Sequence, residues 1–84
     1  MNETYTGNAI SDKIIIAFIC TKKNNNYILH ITGIPAGNYK PSFQYDKKYT
    51  KINTDIKELI ISELKDISSS LKLNYNDFVI TYNF

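Results

Sequence analysis

The chain has 84 residues, a formal net charge of +2 and an apolar content of 43%, values typical of one small folded domain. A domain of this size buries roughly 60–65% of its unfolded surface, which leaves little room for an internal cofactor pocket. The single cysteine, Cys20, excludes an internal disulfide, and the longest apolar run is far shorter than the ~20 residues that cross a bilayer. With a non-basic N-terminus, these features predict a cytoplasmic domain without membrane contact.

The basic residues are all lysines, ten in number, and arginine is absent. Arginine is the usual bidentate ligand for phosphate and carboxylate groups, so its absence argues against tight phosphate recognition and against an arginine-finger mechanism. Isoleucine, asparagine, lysine, tyrosine and phenylalanine are abundant, and their codons are rich in A and T. This composition indicates an AT-rich genome, such as that of a low-GC bacterium, of its phages and plasmids, or of some eukaryotic parasites or viruses.

The first part of the chain predicts a β-hairpin after a polar lead-in segment, residues 1–11. Residues 13–21 are β-branched or aromatic and are apolar on both alternating faces, which is typical of a buried strand. The polar residues 22–26 predict a turn, and residues 27–34 return as a second strand. If the loop holds three residues, Lys23 pairs with Tyr27, and Cys20 lies opposite His30.

The rest of the chain predicts a loop, a short third strand (residues 42–49), one helix, a turn and a final strand (residues 78–84). Apolar spacing predicts a helix from Thr54 to Leu71. Asp55 and Glu58 have the spacing of a capping box at its start. The core-facing positions are Ile56, Leu59, Ile60, Leu64 and Ile67.

These elements predict an α+β fold in a single domain, residues 1–84. Its architecture is a small, mostly antiparallel sheet in the order β-β-β-α-β, with one amphipathic helix packed on one face.

Cys20 and His30 are the residues that could begin a reactive site, because a thiol beside an imidazole can become a nucleophile or a metal ligand. A zinc site needs further ligands, and the chain has no second cysteine or histidine. Cys20 ends an apolar strand and fits a buried, unreactive position. The carboxylates Asp55 and Glu58 are explained by the helix dipole. The sequence therefore predicts no catalytic, metal-binding or cofactor-binding residue and no enzyme.

Residues 39–51 interleave tyrosines with lysines. Lysine neutralises phosphates and tyrosine stacks on bases, so this segment could hold single-stranded nucleic acid. The low net charge and the missing arginine argue against that function, and an acidic protein surface would suit the same pattern. The candidate partner-binding residues are Tyr39, Lys40, Tyr45, Lys47, Lys48 and Tyr49, together with Tyr82 and Phe84 in the final strand.

The apolar pattern on the second face of the sheet predicts that this face associates with another chain or segment. One helix covers one face, yet residues 14–20 are apolar on both. A second copy, a target protein or a folded-back segment of residues 33–51 must then cover the other face.

The favoured function is a small protein-binding module that acts by surface occupation without catalysis. An inhibitor, immunity or anti-defence protein of a phage or mobile element would act in this way. Nucleic-acid binding through residues 39–51 is the alternative, and a small enzyme using Cys20 or His30 ranks third.

Overall fold

A computed structural model describes residues 3–50 and 54–84 of the chain. Its elements are β1 (Glu3–Ile10), β2 (Ile14–Lys23), β3 (Asn26–Pro35), β4 (Phe43–Thr50), α1 (Ile56–Ser70), a 3₁₀ turn (Tyr75–Asp77) and β5 (Val79–Tyr82). The five strands form one sheet in the order β4-β3-β2-β1-β5, and all neighbours are antiparallel. The predicted α+β class, an antiparallel sheet with one helix, is confirmed.

The core lies between helix α1 and one face of the sheet. The predicted alternation in β2 is confirmed, since Ile14, Ile16, Phe18 and Cys20 are buried beneath the helix. Helix α1 is slightly shorter than predicted, and its predicted apolar stripe faces the sheet, with Ile56 half-buried at its start. The remaining buried apolar residues are Ala9, Leu29, Ile31, Leu59, Ile60, Leu64 and Ile67.

The prediction of a lead-in segment at residues 1–11 is wrong, because Glu3–Ile10 forms strand β1 between β2 and β5. Gly7 and Ala9 are buried on the helix side, where small residues leave room for the ring of Phe18. A Cβ atom at Gly7 would meet that ring and the carbonyl oxygen of Thr81. The close approach of β1 to both neighbours therefore requires a glycine.

The predicted three-residue hairpin loop is also wrong. Lys23 pairs with Asn26, so the turn holds two residues, Asn24 and Asn25. Asn24 adopts a φ of 58°, a conformation that asparagine tolerates better than most residues. A two-residue loop shifts the register by one, because side chains alternate between faces with a period of two.

The start of helix α1 departs from the predicted capping box. Asp55 is the N-cap residue, but its side chain makes no capping hydrogen bond. Glu58 lies in the first turn, where a carboxylate interacts favourably with the helix dipole. Within residues 3–50 and 54–84, no helix is long and apolar enough to cross a bilayer.

Candidate interaction surfaces

The face of the sheet that points away from α1 carries a continuous apolar row. Val79 lies directly opposite Ile10, Ile10 opposite Ile15, and Ile15 opposite Ile34. Side chains paired in this way have Cβ atoms about 4.5–5.5 Å apart, so the row crosses four strands without a break. We call this side of the sheet the open face.

The described residues leave the open face exposed to solvent. Its large apolar side chains have exposed fractions between 36% and 72%, and they are Ile10, Ile15, Ile19, Ile28, Ile34 and Val79. The alternative in which residues 33–51 fold back over this face is wrong for the described part of that segment. Phe43–Thr50 extends the sheet as β4, and Tyr39 packs towards the core on the helix side.

Charge is absent from most of the open face. Between the hairpin end at Lys23 and the opposite edge, strands β5, β1 and β2 contribute threonine, asparagine, alanine, isoleucine and valine to it. On the rest of this face, the ionisable side chains that the structure describes lie on β3 and β4. His30 Nδ1 is 2.6 Å from Asp46 Oδ1, and Lys48 lies opposite Ile28. The apolar row therefore lies at one end of the open face. The middle of the face is uncharged and mostly polar, with Asn8 opposite Ala17 and Ala17 opposite Thr32.

The predicted Tyr–Lys segment does not form one patch. Tyr45, Lys47 and Tyr49 lie on the helix side of β4, whereas Lys48 lies on the open face. Lys40 lies in the connection before β4 and is exposed. The alternation of β4 therefore divides the candidate residues between two opposite surfaces.

Glu63 is the centre of a polar cluster that the sequence analysis missed. It is 5% exposed on the buried face of α1. Its Oε1 accepts hydrogen bonds from Lys47 Nζ and the Tyr49 hydroxyl, both at 2.9 Å. Its Oε2 accepts one from the Tyr45 hydroxyl at 2.7 Å. Glu63 follows Leu59 and Ile60 at helical spacing. Its position on the apolar side of the predicted helix was therefore the sequence signal for its burial.

The net effect of burial and these contacts is to lower the pKa of Glu63 and to raise the pKa values of Tyr45 and Tyr49. Burial alone would raise the pKa of Glu63, but the hydrogen bonds from Lys47, Tyr45 and Tyr49 outweigh it and hold that pKa below 4.5. Burial and the bond to Glu63 raise the pKa of Tyr49 to about 12. The same causes raise the pKa of Tyr45 further. The carboxylate is thus ionised and joins β4 to α1.

A cleft of about 400 Å³ opens between β4 and α1 beside this cluster. Phe43 and Tyr45 form one wall, with ring centroids 6.0 Å apart. The other wall is one stripe of α1, formed by Glu63, Asp66, Ile67 and Ser70 together with Leu71. The described lining is mainly apolar and contains two carboxylates and no lysine.

Tyr82 and Phe84 lie on the helix side rather than on the open face. Tyr82 lies opposite Gly7, and its ring contacts Phe18 with centroids 6.1 Å apart. The ring of Phe84 makes an edge-to-face contact with the ring of Tyr5, with centroids 5.2 Å apart. Val79 is the residue of β5 that belongs to the apolar row of the open face.

The expected approach of Cys20 to His30 is wrong. Cys20 lies opposite Leu29 beneath the helix, whereas His30 lies opposite Ile19 on the open face. Burial raises the pKa of the Cys20 thiol to about 11, so the reactive thiolate is scarce at neutral pH. Within the described ranges, no cluster of His, Cys, Asp or Glu side chains could hold a metal ion.

Two surfaces therefore stand out, the open face and the cleft between β4 and α1. The function of the chain has to be inferred from the chemistry of these surfaces. No protein-family model, no curated protein and no solved structure matches this chain.

Proposed function

We propose that this chain is a small protein-binding module that acts by surface occupation without catalysis, and that it associates through the open face. The observation that carries the proposal is the uninterrupted row of Val79, Ile10, Ile15 and Ile34 on a face that the described chain leaves exposed. A sheet face open to water ordinarily alternates apolar core residues with polar surface residues. A contiguous exposed apolar patch marks an interaction site.

The occupant we assign to the open face is a second copy of this chain. Two such faces are self-complementary, because neither carries a charged side chain at its centre that would lose its hydration on contact. The charged groups Asp46 and Lys48 lie on edge strand β4 and would be at the rim, where charged groups remain solvated. The formal net charge of +2 opposes association only weakly.

The size of the face also suits a dimer. Five strands about 4.8 Å apart and about eight residues long give a flat area of roughly 600 Å². The relief of the side chains raises the accessible area above that value. A standard stable interface removes about 800 Å² from each partner, so the open face is large enough to form most of one. Two sheets would pack face to face about 10 Å apart, as in a β-sandwich.

The role that fits such a module is that of an inhibitor, immunity or anti-defence protein of a phage or mobile element. Proteins of this kind cover the surface of a target and need no reactive group. A dimer joined through the open face would cover its target with another surface. The abundance of amino acids whose codons are rich in A and T supports this origin.

Nucleic-acid binding through residues 39–51 is less favoured. Tyr45 and Tyr49 direct their hydroxyl groups to Glu63, and the charge of Lys47 is paired with the same carboxylate. These side chains would have to leave the cluster before they could stack on bases or neutralise phosphates. Micromolar binding to short DNA or RNA at physiological salt would overturn this ranking.

Sedimentation of the isolated protein tests the proposal. We expect a dimer at micromolar concentration and a monomer for Ile15→Lys, which places a charge at the centre of the apolar row. Ser62→Lys is the matched control, because it adds the same charge at an exposed position of α1. A wild-type protein that stays monomeric at about 100 µM, or an Ile15→Lys variant that dimerises as well as the control, would exclude a second copy as the occupant.

A further inference from the structure

We propose that the cleft between β4 and α1 is a second binding site, which takes an extended peptide segment carrying a lysine or arginine side chain. This proposal is independent of association through the open face, because the cleft lies on the helix side of the sheet.

The edge of β4 supplies the first argument. β4 pairs with β3 and with no other strand in the described part of the chain. The outward backbone N–H and C=O groups of such an edge strand can pair with an added strand. An extended peptide laid along Phe43–Thr50 would gain main-chain hydrogen bonds in this way.

The shape of the cleft supplies the second argument. It follows β4 on one side and α1 on the other, so alternate side chains of an added strand would point into it. Phe43, Ile67 and Leu71 offer an apolar surface for a long aliphatic stem. A volume of about 400 Å³ admits one large side chain with space for water.

Charge supplies the third argument and selects the side chain. Asp66 is exposed at the cleft and makes no ion pair with any residue that the structure describes. Among the residues that the structure describes, Tyr45 is the one donor to Glu63 Oε2, so one acceptor position of that oxygen remains. A lysine or arginine can place its methylene groups on the apolar wall while its charged end reaches these carboxylates.

Titration followed by amide NMR spectra tests the proposal, with a synthetic peptide of alternating threonine and valine around one central arginine. We expect shifts confined to β4 and to residues 63–71. Replacing the arginine of the peptide by glutamine should weaken binding at least tenfold, and Asp66→Asn in the protein should do the same.

Glu58→Gln is the matched control, because it removes a carboxylate from an exposed position of α1 outside the cleft and should bind as the wild type does. Ile15→Lys should also bind the peptide normally, which separates this site from the open face. No shifts at millimolar peptide, or equal affinity for the arginine and glutamine peptides, would overturn the proposal.

Discussion

The hydroxyl of Tyr45 donates a 2.7 Å hydrogen bond to Oε2 of Glu63 and so joins edge strand β4 to the buried face of helix α1. Lys47 and Tyr49 bind the other oxygen of the same carboxylate. Three side chains from one strand thus converge on one helical residue that is almost fully buried. This arrangement positions β4 against α1 and forms one end of the cleft between them.

Glu63→Gln should destabilise the protein by about 1–3 kcal/mol at neutral pH, because it removes the charge that three donors share. The effect should depend on pH. The folded pKa of Glu63 lies below 4.5, so the stabilisation by its ionised form is complete at neutral pH and is lost as the pH falls below 4.5 towards the folded pKa. Urea midpoints of the two proteins should therefore converge in acid. A difference that is constant from pH 7 to about pH 3 would contradict this assignment. Glu58→Gln should have a smaller effect, because it removes only an exposed interaction with the helix dipole.

Ile60→Ala and Leu64→Ala should each cost about 2–5 kcal/mol of unfolding free energy. Both side chains lie in the core between α1 and the sheet. Ile61→Ala is the control, because the side chain of Ile61 is only half-buried. This variant should lose less unfolding free energy than the two core variants. Chemical denaturation measures all three variants, and an unchanged midpoint for the two core variants would refute the packing of the helix.

Gly7→Ala should destabilise the protein more than Gly33→Ala. A Cβ atom at Gly7 would collide with the backbone carbonyl of Thr81 and with the buried ring of Phe18. At Gly33 it would meet the ring of Phe43, a half-buried side chain beside the cleft that can rotate away. We expect a cost of at least about 1–3 kcal/mol at Gly7. Equal thermal stability of the two variants would contradict the close packing of β1.

Cys20 should react slowly with a thiol reagent at pH 7 in the folded protein and rapidly after denaturation. Its side chain is fully buried, and burial raises the pKa of its thiol to about 11. His30→Ala should leave the rate unchanged, because His30 lies on the opposite face of the sheet. Rapid modification that His30→Ala suppresses would be incompatible with this arrangement.

The sequence predicted the elements whose apolar pattern is long and regular. In β2 the buried residues Ile14, Ile16 and Phe18 are apolar at every second position, and α1 has a clear helical stripe, so both were placed correctly. Strand β1 was missed because Ile10 is its one apolar open-face residue, the other positions on that face being threonine or asparagine, and because Gly7 has low strand propensity. The position of β1 in the sheet depends on its contacts with β2 and β5, which cannot be predicted from local strand propensity.

The candidate surfaces were predicted in part. The apolar character of the open face follows from the alternation in β2, and the structure bears out its exposure in the described chain. The cluster around Glu63 was missed because it joins residues 14 to 18 positions apart through tertiary packing. Cys20 and His30 were predicted to lie opposite each other because the hairpin loop was expected to hold three residues. The loop holds two, and this difference of one residue places each following side chain on the other face of the sheet.

The most direct test of the account is a search for contacts between copies, made by NMR on a mixture of isotope-labelled and unlabelled protein. We predict intermolecular contacts from the methyl groups of the open face, above all those of Ile10, Ile15 and Ile34, and none from the core residues Ile16 and Ile60. A dimer whose intermolecular contacts arise elsewhere, or a monomer whose open-face methyl groups remain accessible to a soluble paramagnetic probe, would contradict association through the open face.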